Sequence, residues 1–284
     1  DKTLTRKFDF SVLGGPHYSS TTELGLGVMA AGLFRLDREN LTLPPSNATL
    51  FANVSTSGFY VLGLRGNTFF RGGRFRLDYT GYFYSMPSDF WGVGFYNGRD
   101  STKTRMERQQ VKVRTDFMYR FFPAWYVGID AEFNYTRGKD IGHLSYIPAG
   151  QHTEYASTGL GFFFQHDSRD VITNPYRGWY LKLDQIFYPR WLGNRGGFFT
   201  STEVTADFYT RLWKSAILAF DVHGLFHAGH VPWTMLSSMG GGSRMRGYYE
   251  GRYRDKNLME AQMELRQRIY KRIGAVVWVG GGTV

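Results

Sequence analysis

The chain has no cysteine among its 284 residues, which excludes disulfide frameworks and thiolate metal sites. No segment approaches the ~18 consecutive apolar residues that a membrane-spanning helix needs. Acidic residues are in the minority, because 24 Asp and Glu stand against 34 Lys and Arg, for a net charge of +10. The basic residues are scattered rather than clustered, so we expect them in a polar interior and at its rim. A nucleic-acid-binding surface is therefore not predicted.

Glycine and aromatic residues are abundant, with 35 Gly, 24 Phe, 19 Tyr and 7 Trp. Together with 42% hydrophobic residues, this composition excludes an intrinsically disordered chain. The hydrophobic residues alternate with polar ones instead of forming runs. That combination is typical of a transmembrane β-barrel, in which lipid-facing and lumen-facing side chains alternate along each strand.

The hydrophobic pattern repeats every two residues almost throughout. In residues 125–136, the clearest segment, odd-numbered positions are apolar or aromatic and even-numbered ones are mostly polar. Its length is about that of a tilted strand crossing the hydrocarbon layer. Counting such segments predicts about thirteen strands. They span residues 7–14, 23–35, 48–57, 59–71, 74–85, 105–121, 125–136, 155–167, 178–189, 198–212, 216–228, 257–271 and 275–284.

The predicted connections alternate in length. Short ones are residues 71–73, 122–124 and 213–215, and long ones are 36–47, 86–104, 137–154 and 229–256. Outer-membrane barrels have short periplasmic turns and long extracellular loops. We therefore expect one outer-membrane β-barrel domain over residues 1–284.

A large soluble β-sandwich would also alternate, but it would need a second layer to cover the apolar face of nearly every strand. We therefore predict an all-β fold, a transmembrane antiparallel barrel. Bacterial single-chain barrels have even strand numbers. We accordingly expect that about three C-terminal strands are missing from the sequence, which would make about sixteen in all. The alternative is that another chain completes the wall.

Two motifs carry a family resemblance. A glycine-rich run leads into Met245, Arg246, Gly247 and Tyr248. The second motif, of the form D-x-R-D…N-P-x-R-G, contains Asp167, Arg169, Asp170, Asn174, Pro175, Arg177 and Gly178. The chain resembles the BamA/TamA-type outer-membrane assembly family, also called the bacterial surface antigen family. That family carries a Val/Ile-Arg-Gly-Phe/Tyr motif in its sixth extracellular loop.

The resemblance implies a barrel whose sixth loop folds into the lumen, in a barrel-only member or a fragment lacking the periplasmic POTRA domains. It implies a protein of the bacterial outer membrane that assembles, inserts or translocates proteins there, or an accessory barrel subunit of such a complex. The expected partners are outer-membrane lipid including lipopolysaccharide, and nascent outer-membrane proteins or other subunits of an outer-membrane complex.

Arg246 would then enter a partly desolvated lumen, where an unpaired guanidinium is costly. Strand 257–271 points Glu264 and Glu260 to its polar face, so Glu264 is the expected partner and Glu260 the second choice. The family usually places an Asp in the next strand, where this chain has Gly280. Alternatively, Arg246 is only a solvated rim charge.

The resemblance also implies that the first and last strands pair weakly, so that the seam between them can open. The first strand comprises Lys7, Phe8, Asp9, Phe10, Ser11, Val12, Leu13 and Gly14. The following Pro16 would shorten the pairing at this seam, because proline lacks a backbone donor.

Other functions find less support. A passive outer-membrane pore or solute channel is the main alternative, and an outer-membrane hydrolase is a weaker one. No nucleophile elbow or phosphate-binding loop is present, so we predict no enzyme and no cofactor. His223 and His227 share a strand face but would lie about 13 Å apart, too far for one metal ion.

Overall fold

The computed structural model describes residues 8–19, 22–40, 43–100, 102–172, 174–241, 244–271 and 273–284. The fold is all-β, and thirteen of its strands form a single antiparallel sheet. Lys7, predicted to begin the seam strand, lies outside the described residues. No described helix is long and apolar enough to cross a membrane.

The strands of the large sheet follow one another along the chain. They are β1 (Phe8–Ser19), β2 (Glu23–Phe34), β3 (Ser46–Ser55), β4 (Tyr60–Phe69), β5 (Phe75–Phe90), β6 (Thr104–Phe122), β7 (Trp125–Lys139), β8 (Glu154–Asp167), β9 (Gly178–Tyr188), β10 (Phe199–Trp213), β11 (Ala216–Gly229), β14 (Asn257–Tyr270) and β15 (Ile273–Thr283). Two short strands, β12 (Ser237–Ser238) and β13 (Arg254–Asp255), pair with each other between β11 and β14. A short helix, α1 (Phe95–Arg99), lies between β5 and β6.

The predicted number and order of strands are confirmed, and some strand ends differ. β1 continues past Gly14 through Pro16 to Ser19, and it pairs with β2 over this whole length. Within the described sheet β1 is an edge, so proline's missing donor can face the side without a neighbour. β5 likewise continues past Ser85 to Phe90, because β6 extends beside it as far as Thr104.

Antiparallel order places successive connections at opposite ends of the sheet. One end carries loop 3 (residues 91–103), loop 4 (140–153), loop 5 (189–198) and loop 6 (230–256). The other end carries most of the tight connections and also two longer ones, turn 1 (35–45) and turn 4 (168–177). The short connections from β1 to β2 and from β3 to β4 lie at the loop end. The expectation that segment 36–47 is one of the long loops opposite the short turns is therefore wrong. The expectation rested on the length of the segment. In an antiparallel sheet, however, the end on which a connection lies depends on its place in the strand order.

The sheet is inside-out compared with that of a soluble protein. In β7, Asp130, Glu132 and Asn134 are buried, whereas Ile129 and Phe133 on the other face are exposed. Large apolar side chains are exposed on most of the other long strands as well. A face of this kind is suited to lipid, and the buried polar face lines a lumen. The predicted division into a charged inner and an apolar outer face is confirmed on β7, whereas the inner positions of β2 are small or apolar.

Candidate functional site in the lumen

Loop 6 reverses direction sharply at the predicted motif. Met245 and Gly247 both have left-handed backbone, with φ of 47° and 109°. Met245 is only 1% exposed and packs with Met239 and Leu258. Met245 is buried, and the side chains of its two neighbours, Arg244 and Arg246, extend to polar groups on the lumenal wall.

Arg246 binds the carboxylate predicted for it. Its Nη2 donates to Glu264, which lies midway along β14. Glu264 also accepts a hydrogen bond from Arg266 Nε at 2.6 Å. Loop 6 thus reaches deep into the lumen, which speaks against a solvated rim charge. The second-choice partner, Glu260, instead contacts His223 Nδ1 at 3.0 Å.

Trp278, two residues before the position where the second acid was missing, is a further partner of Arg246. The Arg246 guanidinium carbon lies 5.0 Å from the centre of the Trp278 ring on β15, a cation–π contact. At Gly280, the position of the family's usual Asp, a Cβ atom would lie 3.3 Å from Met245 Sδ. In this chain, therefore, glycine at position 280 leaves room for Met245 to pack closely, and the ring of Trp278 contacts Arg246 where the family has an Asp nearby. The sequence analysis did not identify Trp278 as a site residue.

A second arginine anchors the same loop. Arg244 Nε donates to both carboxylate oxygens of Asp221 on β11, at 3.2 and 3.0 Å. Gln262 on β14 donates to the same carboxylate at 3.1 Å. Loop 6 is therefore bound to two neighbouring strands. The sequence signal for this anchor is a second arginine two residues before Arg246.

Loop 3 holds loop 6 from the other side. Gly94 N–H donates to the Arg254 carbonyl at 2.7 Å, and Arg252 Nε donates to the Gly98 carbonyl at 2.9 Å. The rings of Phe95 and Tyr253 stack at 5.6 Å. Loop 6 is thus fastened both at its tip and along its return path.

The second motif forms turn 4. Arg169 makes a bidentate ion pair with Asp167, with both contacts at 2.8 Å. Asp170 accepts backbone hydrogen bonds from residues 171, 176 and 177, which lower its pKa despite the opposing effect of slight burial. Gly178, at φ 113°, has room only for hydrogen at Cα, since a Cβ would lie 2.4 Å from the Ser168 carbonyl. These contacts make turn 4 a built structure rather than a loose connection.

Turn 4 also meets the loop 6 anchor. Arg266 Nη1 donates to Asn174 Oδ1 at 3.1 Å and lies 3.5 Å from the Pro175 carbonyl. Because Arg266 also binds Glu264, a continuous series of contacts runs from Arg246 through Glu264 and Arg266 to turn 4. The two motifs found separately in the sequence are therefore brought together. Within the described contacts Arg177 contributes only its backbone N–H to Asp170.

An ion network lines the wall beside the site. Arg114 on β6 contacts Asp116, Asp130 and Asp184, which lie on β6, β7 and β9. Lys182 joins Asp116 at 2.9 Å and Asp184 at 3.0 Å. On the intervening β8, a Cβ at Gly161 would lie 2.3 Å from Asp130 Oδ1. Glycine there lets side chains of β7 and β9 meet across β8.

The histidines do not form a metal site among the described residues. His223 lies between two carboxylates, with Nε2 3.1 Å from Glu203 Oε1 and Nδ1 3.0 Å from Glu260 Oε1. His227 is buried, and neither of its ring nitrogens has a hydrogen-bond partner.

The comparisons with known proteins agree with this geometry. The model described as the Omp85 superfamily domain matches residues 62–284. BamA from Haemophilus ducreyi lacking POTRA domains 1-3 has a similar structure, with a TM-score of 0.61 and 13% identity, over 96% of this chain and 57% of that one. CdiB from Escherichia coli is similar with a TM-score of 0.61 and 15% identity, over 98% of this chain and 52% of that one.

The chain thus spans little more than half the length of either neighbour. At these identities the two structures show a common barrel fold. No curated protein shows significant sequence similarity to the chain. The family model nevertheless covers most of the sequence, including both motifs and the lumenal contacts of loop 6, and the resemblance inferred from those motifs is confirmed: the chain belongs to the Omp85 superfamily.

Proposed function

We propose that this chain works in the bacterial outer membrane as the barrel of a system that assembles, inserts or translocates proteins, or as an accessory barrel subunit of such a system. One observation carries the proposal: Arg246 binds Glu264 in the middle of the lumenal wall. A loop held there by a charge-assisted hydrogen bond obstructs the lumen, which a passive channel would keep open.

Under this proposal the seam beside β1, the first strand of the described sheet, opens to accept a strand. Unpaired backbone groups on a sheet edge can pair with an incoming strand. The outward positions of β1 include the exposed Phe8, Phe10 and Val12, a face that lipid can cover while the edge stays available. Nascent outer-membrane strands are the partner that fits both features. The proposed role needs no covalent chemistry, so no catalytic residue is assigned.

The test compares bacteria that lack this protein with bacteria expressing the complete natural protein. Quantitative mass spectrometry of the outer-membrane fraction should show loss of a defined set of outer-membrane or surface proteins. Wild-type protein should restore them, and Arg246→Ala should restore them only partly at equal barrel abundance. Arg195→Gln, which changes an exposed arginine of loop 5, is the control and should restore them fully. An unchanged outer-membrane proteome in the deletion strain would contradict the proposal.

A passive pore is the second candidate, because polar cavities of about 350 and 280 Å³ lie along the lumen. Planar-bilayer recording separates the two roles. Under the proposal, conductance is low in wild-type protein and rises when Arg244 and Arg246 are both changed to Ala, since loop 6 loses its anchors. Large, steady conductance in the wild type would favour the pore.

A further inference from the structure

Two arginines in the lumen have no acidic partner among the described residues. They are Arg108 on β6 and Arg254 on β13 in loop 6, and the Nε atom of each is buried without a hydrogen-bond partner. Arg254 is 4% exposed, and its guanidinium lies 5.5 Å from the centre of the Phe90 ring. Burial and the charge of Arg108 lower the pKa of Arg254 to about 9. Arg254 therefore still carries its charge at neutral pH.

A cavity of about 280 Å³ adjoins these arginines, between the lumenal wall and loop 6. Arg108 and His227 line it, and His227 is 7% exposed with both ring nitrogens unpartnered. Arg254 is next to it, because it pairs in the β12–β13 ladder with Ser238, a lining residue. Tyr82 and Tyr84 add hydroxyl groups to the lining.

The other cations that line the cavity are already neutralised. Lys112 binds Glu132 at 3.0 Å, and Arg114 binds the carboxylates of the wall network. The unmet donors are thus concentrated at Arg108, Arg254 and His227. Two like charges with buried, unpaired donor atoms beside a polar cavity are costly unless an anion compensates them. The cavity has room for a small ion with several waters, since a water takes about 30 Å³.

We infer that this cavity binds a small oxyanion, of the chemical class of inorganic phosphate, through Arg108, Arg254 and His227. The bound anion joins loop 6 to β6 and so acts as a further anchor beside those of Arg244 and Arg246. Four carboxylates also line the cavity, and three of them, Glu132, Asp184 and Glu203, are paired with Lys112, Arg114 and His223. Glu250 is therefore the competing internal anion. It lines the cavity but is exposed, and it forms no ion pair with any residue that the structure describes.

The test is thermal unfolding of the complete natural protein in detergent micelles, in phosphate and in chloride at equal ionic strength. Phosphate at about 100-fold its Kd should raise the wild-type Tm by roughly 3–6 °C above the chloride value. Arg254→Met should abolish this rise. In chloride it should leave Tm unchanged or higher, because it removes an uncompensated buried charge while keeping the contact with Phe90. Arg195→Gln, the exposed control, should keep the full rise.

Three results would overturn the inference. The wild type could respond equally to phosphate and chloride, Arg254→Met could keep the phosphate effect, or Arg254→Met could lose stability in chloride as a paired structural arginine would. Arg108→Met provides a second variant with the same expectations. Glu250→Gln separates the internal anion from the ligand: both this variant and the wild type should show the phosphate effect, and an effect confined to Glu250→Gln would show that Glu250 is the counter-ion of the two arginines.

The source of the phosphate group is tested separately. Short-chain phosphatidic acid, added below its micelle concentration, should give no rise in Tm, because the cavity is lined by lumenal residues and loop 6 rather than by the lipid-facing side. An equal rise with this lipid would contradict binding of the free ion.

Discussion

The wall formed by β6–β9 and the wall formed by β1–β4 share the same antiparallel backbone ladder but differ in their side-chain ties. In the first wall, Arg114 and Lys182 connect carboxylates on three strands, of which those of Asp130 and Asp184 are fully buried. In the second, no ion pair joins side chains of β1–β4 to one another in the part of the chain described. The inward positions of β2 are small or apolar, namely Gly25, Gly27, Met29, Ala31 and Leu33.

Loop 6 follows the same division. Its anchors lie on β11 and β14, and Arg266 extends them to turn 4 beside the braced β6–β9 wall. None of the described hydrogen bonds or ion pairs of loop 6 reaches β1–β4. The difference indicates that one side of the sheet is held by buried charge pairs and the other mainly by its backbone. Local opening should therefore cost least at β1–β4.

The largest test of this contrast is Arg114→Leu. The change leaves the Asp130 and Asp184 side chains, which are 0% and 1% exposed, without their shared cation. Breaking a buried pair from one side costs about 3–5 kcal/mol, so the free energy of unfolding should fall by that amount. Urea unfolding in micelles, followed by heat-modifiable gel mobility, measures it.

Arg65→Leu is the matched control on the other wall. Arg65 lies on β4 and contacts the Phe51 ring at 5.6 Å, which is worth less than ~1 kcal/mol at an exposed site. If the two leucine variants lost equal stability, the proposed difference between the walls would be wrong.

The next largest effect concerns the loop 6 anchor. Arg246→Ala should lower the free energy of unfolding by about 1.5–3 kcal/mol, the range for hydrogen bonds to charged groups. The double-mutant cycle with Glu264→Ala should give a coupling of at least ~1 kcal/mol, because the two side chains contact each other directly.

Glu260→Gln provides the comparison for that cycle, since Glu260 pairs with His223 and not with Arg246. Its coupling to Arg246→Ala should be near zero. A coupling as large as that of Glu264 would mean that loop 6 is anchored differently from the described contacts.

Much of this arrangement could be predicted from sequence because a strand has a period of two. Alternation gave the number of strands and the inward face of β7, and it placed Glu264 on the polar face toward which Arg246 turns. The contacts of Arg266 with turn 4 and of Lys182 with Asp116 join distant segments, so they depend on sheet curvature. No local pattern encodes that curvature. Trp278 as the aromatic partner of Arg246 likewise required the register between β14 and β15.

Glycine-to-alanine substitutions on the two walls test the same difference in stability with a smaller change of structure. In Gly161→Ala the new Cβ would lie 2.3 Å from Asp130 Oδ1, so the ion network must shift. Overpacking of this kind costs about 1–3 kcal/mol. Gly15→Ala on β1 adds a Cβ with no atom within 4 Å and should be neutral or slightly stabilising. Thermal unfolding of both variants checks this, and equal Tm changes would contradict it.

The smallest effect is expected at the two longer turns, each of which holds one carboxylate on backbone N–H groups. Asp37 of turn 1 accepts a hydrogen bond at 2.9 Å from the Gly72 N–H in the adjacent connection between β4 and β5, which lowers the Asp37 pKa. In turn 4, backbone donors lower the pKa of Asp170 despite the opposing effect of slight burial. A lowered folded-state pKa means that these contacts stabilise the turns above about pH 4, the ordinary Asp value, and that the stabilisation is lost as the pH falls through the folded-state pKa.

Hydrogen exchange measured by mass spectrometry at pH 5 and pH 3, corrected for intrinsic rates, should show loss of protection at residues 176 and 177 in the wild type. In Asp170→Asn the protection should be slightly lower at pH 5 and independent of pH, because the amide oxygen accepts hydrogen bonds without titrating. Asp37→Asn should leave turn 4 unaffected. Turn 4 should retain more protection than turn 1 at pH 3, since Arg266 still holds Asn174 when Asp170 is protonated. An equal loss of protection in both turns would contradict the idea that the contact between Arg266 and Asn174 stabilises turn 4.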